Sequence, residues 1–236
     1  MYKAILFDLD GTLRHTVPLG AEMYRIKTAE FGMPISDEKN LEVSRWEHYY
    51  WARSPELMRD SAKFDKNDKA FWVNYANLRL GKMGASPEQT EQFRPMLFRF
   101  FEEEYKPKNW VPPELYEILP ELRSAGFKLA VLSNRRTSFM DVLEELSLVD
   151  LFDDVMHAGE IGSWKPDPKV FTPLLERMNL SPEKTVYIGD NYYADVVGAR
   201  NAGLVPLLYD PREIFPEADC ARITSFDELG DFLCET

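Results

Sequence analysis

Ala4-Ile5-Leu6-Phe7-Asp8-Leu9-Asp10-Gly11-Thr12 decides the fold. Its apolar run reads as a short buried strand. Two carboxylates stand at the exit of that strand, and a glycine follows that lets the backbone turn. Neighbouring acids repel each other and resist leaving water. The arrangement makes chemical sense if a cation lies between them and one of them reacts. A carboxylate can attack phosphorus to give an acyl phosphate, and a second can carry the leaving-group proton.

Downstream of about residue 112 the chain alternates helix and strand. Residues 114–125 place Leu115, Ile118, Leu119 and Leu122 at helical spacing, and Gly126 ends that helix. Strands are expected at 128–132, 155–158, 185–188 and 204–209. Helices are expected at 138–146, 168–178 and 195–202, with a capping box at Ser225-Phe226-Asp227-Glu228 opening a last one. Pro173 falls inside the 168–178 segment and works against it. Strands alternating with crossover helices imply a parallel sheet, and the strand over residues 2–7 belongs with it.

Between these parts the chain changes character. Residues 19–105 lack β-branched runs and carry many aromatics at helical spacing. Helices are expected at 19–30, 39–53 and 68–80. Ser86-Pro87-Glu88-Gln89 starts another, running to about residue 105, with a capping serine, a proline in the first turn and a glutamine three residues on. The fold class is therefore α/β: a Rossmann-like parallel sheet core, residues 1–14 and 109–236, with an inserted all-α helical bundle, residues 15–108.

Composition limits the function. The chain has 236 residues, 44% of them apolar, and a net charge of -12. Such a charge opposes general nucleic-acid binding and attraction to anionic membranes. Cys220 and Cys234 have no metal-type spacing. No stretch approaches a membrane span, and the N-terminal apolar run is too short for a signal peptide. A soluble cytoplasmic protein is expected.

Ligands of open parallel sheets bind at the carboxyl ends of the strands. Asp8 and Asp10 follow the first strand there, Ser133 and Asn134 the one at 128–132, and Gly189 and Asp190 the one at 185–188, with Asp195 a turn further. Lys165 lies in the loop Gly162-Ser163-Trp164-Lys165-Pro166-Asp167-Pro168. Clustered carboxylates suit a hard cation such as magnesium. A hydroxyl, a lysine and main-chain amides suit a phosphoryl group.

Each motif by itself has a plainer reading. Asp-X-Asp-Gly-Thr could be a polar turn, Ser133-Asn134 a helix cap, Lys165-Pro166-Asp167-Pro168 a helix start, and Asp195 a favourable charge at a helix N-terminus. Their order after successive strands argues otherwise. His157 reads as structural. Trp46, Tyr49, Trp51 and Trp72 read as bundle core rather than substrate-stacking residues. Arg135 and Arg136 border the expected phosphate site.

Together these motifs resemble the haloacid dehalogenase-like superfamily. The resemblance implies that Asp8 is the nucleophile and Asp10 the general acid and base, with the main-chain carbonyl of Asp10 also on the metal. It implies that Ser133, Asn134, Leu9 and Lys165 hold the transferring phosphate, and that Lys165 also steadies the nucleophile. Asp8, Asp10 and Asp190 become the Mg2+ ligands, with Asp195 in support. The helical insertion becomes a cap. His15 stands where family members often carry another acid and is a candidate leaving-group contact.

The implied activity is magnesium-dependent hydrolysis of a small phosphorylated metabolite through an aspartyl phosphate. A phosphomutase or other phosphotransferase acting on a sugar phosphate would use the same residues. A haloacid dehalogenase would share the nucleophile without needing Asp10 or Asp190. A phospho-acceptor or an inactive interaction protein is the non-enzymatic alternative.

Overall fold

Ile5 and Phe7 face one side of a parallel sheet and Leu6 faces the other. This is the period-two alternation of a strand buried on both faces. The computed structural model describes residues 1–65 and 68–234. Its strands are β1 (Ala4–Phe7), β2 (His15–Val17), β3 (Lys108–Trp110), β4 (Lys128–Ser133), β5 (Asp154–His157), β6 (Thr185–Gly189), β7 (Val205–Tyr209) and β8 (Ala221–Ile223). Helices α1 (Gly20–Glu30), α2 (Asp37–Trp51), α3 (Pro55–Lys63), α4 (Lys69–Met83) and α5 (Pro87–Arg99) precede β3. Helices α6 (Leu115–Ser124), α7 (Met140–Glu145), α8 (Ala158–Ile161), α9 (Thr172–Met178), α10 (Val197–Asn201) and α11 (Leu229–Cys234) follow it.

Six strands form one sheet in the order β5-β4-β1-β6-β7-β8, every neighbouring pair parallel. Phe7 pairs with Val131 on one side and Ile188 on the other, so β1, β4 and β6 end side by side. From β1 the order runs outward through β4 and β5 on one side, and through β6, β7 and β8 on the other. Such a reversal opens a crevice at the strand ends. One face of the sheet is covered by Leu115, Leu119 and Leu122 of α6, with Leu143, Phe226 and Leu229. The other is covered by Phe171 with Leu174, Leu175 and Met178 of α9 and Ala199 of α10.

The described chain divides into two compact units: Met1–His15 with Asn109–Thr236, and Thr16–Lys108. β2 and β3 pair with each other where the chain passes between them. Among the described residues the helical unit has two apolar clusters of its own. Met33, Val43, Leu80, Met83, Phe93 and Leu97 form one. Tyr50, Leu57, Phe71 and Tyr75 form the other, with Trp46 and Trp51 against it. Tyr49 and Trp72, in contrast, are 42% and 45% exposed, so the expected aromatic core includes only part of that set.

Several local expectations need correction. α3 was not anticipated, although Ser54 caps it and Pro55 opens it, the same signal as Ser86-Pro87. The helix expected to reach residue 105 is α-helical only to Arg99 and continues as a π-turn over Phe100–Glu104. The segment 168–178 splits into a 3-10 turn, Pro168–Val170, and α9. Pro173 has no N–H for a continuous helix, so it stands in the first turn of a new one instead. β8 was also missed, being three residues long with only Ile223 buried. Among the described residues no helix is long and apolar enough to cross a membrane, and Cys220 and Cys234 are both free.

Candidate active site

The end of β1 delivers Asp8, whose amide donates to the Ile188 carbonyl of β6 at 2.8 Å. Gly11 then turns the chain with φ +92°, a conformation costly for residues with a side chain. A Cβ at Gly11 would also lie 2.4 Å from Asp190 Oδ2. The turn after β1 and the acid after β6 are thus held in close approach.

Lys165 is the hub. Its side chain is 2% exposed, yet Nζ donates to Asp8 Oδ1 at 2.6 Å, Asp195 Oδ1 at 2.7 Å and Tyr187 OH at 2.7 Å. Three partners match the three protons of an ammonium. The Tyr187 hydroxyl in turn donates to the Leu132 carbonyl at 2.8 Å. The loop carrying Lys165 is pinned reciprocally by Asn134: the Lys165 amide donates to Asn134 Oδ1 at 2.8 Å, and Asn134 Nδ2 donates to the Lys165 carbonyl at 3.1 Å. Ser133, 2% exposed, accepts a long bond from the Arg135 amide at 3.4 Å.

Asp195 belongs to the opening turn of the helix after β6. Asn191 caps this turn, its Oδ1 accepting from the amides of Tyr193 and Ala194 at 3.0 Å each. The segment begins as a π-turn over Tyr192–Val196 rather than at residue 195. Asp195 Oδ2 accepts from the Asn191 amide at 2.8 Å, leaving Oδ1 for Lys165. A Cβ at Gly189 would lie 2.3 Å from Asp195 Cγ, so that strand end needs glycine.

Asp8, Asp190 and Asp195 offer carboxylate oxygens all within 4.8 Å of one another. Burial pushes the Asp8 carboxyl up to about 7, against the pull of Lys165 and with Asp195 adding to the rise. Burial likewise raises Asp190 well above the ordinary carboxylate range, helped by Asp195 and Asp8 and opposed by the weaker pull of Arg212. Lys165 is held well above its usual value: burial opposes its charge, but Asp195 and Asp8 outweigh that. Three carboxylates near one ammonium leave an excess of negative charge in an all-oxygen setting in which Asp8 and Asp195 are buried and Asp190 is half-buried. That donor set fits a hard divalent cation.

Asp10 goes elsewhere. Its carboxylate accepts from Arg135 Nε at 2.7 Å and Nη2 at 2.8 Å, and from Arg14 Nη1 at 2.8 Å. Burial would raise its pKa, but the Arg135 pair and Arg14 hold it below the ordinary value. The Asp10 side chain thus lies outside the acidic cluster, and the sequence reading placed only its main-chain carbonyl on a metal. His15 Nε2 lies 3.1 Å from the Thr12 carbonyl, with its ring edge-on to Trp110 and Tyr209. Burial drives its pKa down to about 4. His157, at the end of β5, caps α8 by accepting from the Glu160 amide at 3.1 Å. Leu9 points its side chain into the core, fully buried.

Sequence reasoning missed Tyr187 and Arg14 and left Arg135 at the border. Tyr187 looks like any strand aromatic, and only its partner reveals its role. Arg14 is recoverable in hindsight from its position four residues after Asp10 in a tight turn.

The family model described as "haloacid dehalogenase-like hydrolase" matches residues 2–203. The chain is 33% identical over 235 residues to a glyceraldehyde 3-phosphate phosphatase of Methanothermobacter thermautotrophicus, covering 96% of this chain and 94% of the relative. It is 30% identical over 234 residues to a phosphoglycolate phosphatase of Vibrio cholerae, covering 98% and 95%. A crystal structure of a 2-haloacid dehalogenase from Pseudomonas syringae pv. Tomato is similar over 100% of this chain and 99% of that one, with TM-score 0.57 and 26% identity. On its sheet, its acidic cluster and these likenesses, the chain belongs to the haloacid dehalogenase-like hydrolase family.

Proposed function

We propose that this enzyme is a magnesium-dependent phosphatase of small phosphorylated metabolites that works through a phosphoryl-aspartate on Asp8. The observation that carries the reading is the Asp8 carboxylate, buried beside Lys165 Nζ at 2.6 Å and clustered with Asp190 and Asp195. The relatives named as phosphatases support the reaction class.

In this reading an Asp8 oxygen forms the new bond to phosphorus while the ester P–O bond breaks. Asp10, ionised while Arg135 and Arg14 hold it, takes up a proton in the substrate complex, gives it to the departing oxygen and later takes one from the water that displaces Asp8. Ser133 and the Leu9 amide bind phosphoryl oxygens, Asn134 keeps the Lys165 loop in place, and Lys165 holds Asp8 in its attacking orientation. Asp8, Asp190 and the Asp10 carbonyl, supported by Asp195, would hold Mg2+, which supplies positive charge against the phosphoryl oxygens. The unit Thr16–Lys108 serves as a cap that excludes water and supplies contacts to the leaving group. Losing the Asp10 proton transfer would cost about 10²–10⁴-fold in rate.

The dehalogenase in the structural comparison favours a second reading, carbon–halogen hydrolysis with Asp8 as nucleophile. Asp190 and Asp195 beside Asp8 argue against it, because that chemistry needs no cation. One assay separates them: phosphate release from sugar phosphates, phosphoglycolate and an aryl phosphate, alongside halide release from 2-chloropropionate. Each is run with magnesium, with chelator and with Asp8→Asn. Phosphate release that needs both magnesium and Asp8 is expected. Halide release without phosphate release would overturn the proposal, and transfer of phosphate to an added sugar would make the enzyme a phosphotransferase.

A further inference from the structure

Both oxygens of Asp10 are occupied. Arg135 grips them as a fork, Nε on Oδ2 at 2.7 Å and Nη2 on Oδ1 at 2.8 Å, and Arg14 Nη1 adds a third bond at 2.8 Å. An acid so engaged is held as a carboxylate and has no proton to give a leaving oxygen. The two arginines are held differently. Arg14 is anchored a second time, its Nε donating to Asn109 Oδ1 at 2.7 Å, and Asn109 Nδ2 donates in turn to Glu145 Oε2 at 2.9 Å. Arg14 also sits in the turn after β1, its amide bonded to the Leu9 carbonyl at 2.8 Å. Arg135 is 28% exposed, its guanidinium 5.9 Å from the centre of the Phe139 ring. It follows Ser133 by two residues, on the same loop as that hydroxyl.

Two guanidiniums meet one carboxylate there, and the positive charge left over is shared with Asp8 and Asp141, the other acids acting on Arg135. Arg135 carries the exchangeable share of it, and a guanidinium fork fits a carboxylate or a phosphate equally well.

We propose that Arg135 is a specificity-determining residue that binds a second anionic group of the substrate, a carboxylate or a further phosphate on the leaving-group side, and that in doing so it releases Asp10. This rests on the phosphatase reading above. A substrate with the second anion exchanges places with Asp10 on the Arg135 fork, and the freed carboxylate, no longer held ionised by that fork, takes a proton from solvent and gives it to the leaving oxygen, with Arg14 keeping it in place. A substrate without it finds Asp10 still engaged. Discrimination therefore enters the chemical step as well as binding.

The test uses matched pairs with magnesium: 2-phosphoglycolate against ethyl phosphate, and ribulose 1,5-bisphosphate against ribulose 5-phosphate. The first pair reports a carboxylate as the second anion and the second pair a phosphate. In the wild type, at least one pair is expected to favour the substrate with the extra anion by about tenfold or more in kcat/KM, with part of the gain in kcat. Arg135→Gln should bring that ratio to within about twofold of unity, and Arg135→Lys, which keeps the charge and loses the fork, should fall between. A merely structural defect would lower both members of a pair together and leave the ratio unchanged.

Wild-type ratios near unity in both pairs, with phosphate still released, would overturn this inference and leave the phosphatase reading standing. A ratio that survives Arg135→Gln would overturn it as well. Absence of phosphate release from every substrate would overturn both. Should Arg135→Gln fail to fold, Arg135→Lys carries the test, and a ratio unchanged from the wild type there would overturn the inference.

Discussion

Lys165 Nζ lies 2.6 Å from Asp8 Oδ1 although 157 residues separate the two in sequence, and both side chains are buried. Nothing local brings them together. β1 carries the acid to the sheet edge, and the loop after α8, clamped by Asn134, carries the lysine. A buried charge without its partner is costly, so this pair ties the integrity of the fold to that of the site.

Lys165→Ala should destabilise the α/β unit by about 3–5 kcal/mol, because Asp8 and Asp195 lose their shared cation while remaining buried. Urea unfolding checks this. A loss under 1 kcal/mol would mean that water reaches the two acids freely.

Asp190 and Asp8 prescribe a pH dependence. Both are raised above the ordinary carboxylate value of 3.8, Asp8 to about 7. The fold therefore favours their protonated forms, and the stability this gives below about pH 4 fades as pH rises toward 7. Without divalent cations, Asp190→Asn should melt higher than the wild type at pH 8, by about 2–4 °C for each kcal/mol of repulsion relieved. The gap should shrink at pH 4. Added Mg2+ should raise the melting temperature of the wild type, and more at pH 8 than at pH 5. Calorimetry at these pH values would refute the assignment if the two proteins ran parallel.

His15 works in the opposite sense. Its folded value, about 4, lies below the ordinary 6.5, so the folded state holds it neutral. Its contribution is intact above pH 6.5 and is lost as pH falls toward 4. His15→Gln keeps a donor for the Thr12 carbonyl but cannot take up a proton. Its stability relative to the wild type should improve steadily as pH drops through that window. A constant difference would show that the ring is not shielded from water.

Gly189→Ala should disturb the site through Asp195. The added methyl would sit 2.3 Å from Asp195 Cγ and push the carboxylate off Lys165. Phosphate release should drop by about 10²-fold, as expected for a small displacement of a positioning group. Unchanged turnover would show that Asp195 can move without consequence.

Much of this was legible before any coordinates. Ala4-Ile5-Leu6-Phe7 could be read as a buried strand because all four residues are apolar, and Asp8 and Asp190 as candidate-site acids because one follows that run directly and the other follows a second strand after Gly189. The helical insertion announced itself through aromatic residues at helical spacing and the capping serine Ser86. What failed were the features where one residue overrides a period. Pro173 starts a helix instead of interrupting one. Asn191 starts the turn that holds Asp195 earlier than the acid itself suggests. β8 is too short for any period to register.

The sequence by itself determined the kind of chemistry available and the sheet edge where it would gather, since hydrophobic periodicity dictates which residues are buried and where each strand stops. Only the tertiary structure decided which side chains hold one another. Asp10 went to Arg135 and Arg14 rather than into the acidic cluster, and Lys165 took Tyr187 as a third partner. Those pairings depend on the paths of loops that meet from distant parts of the chain, and on which charge can be buried only beside its opposite.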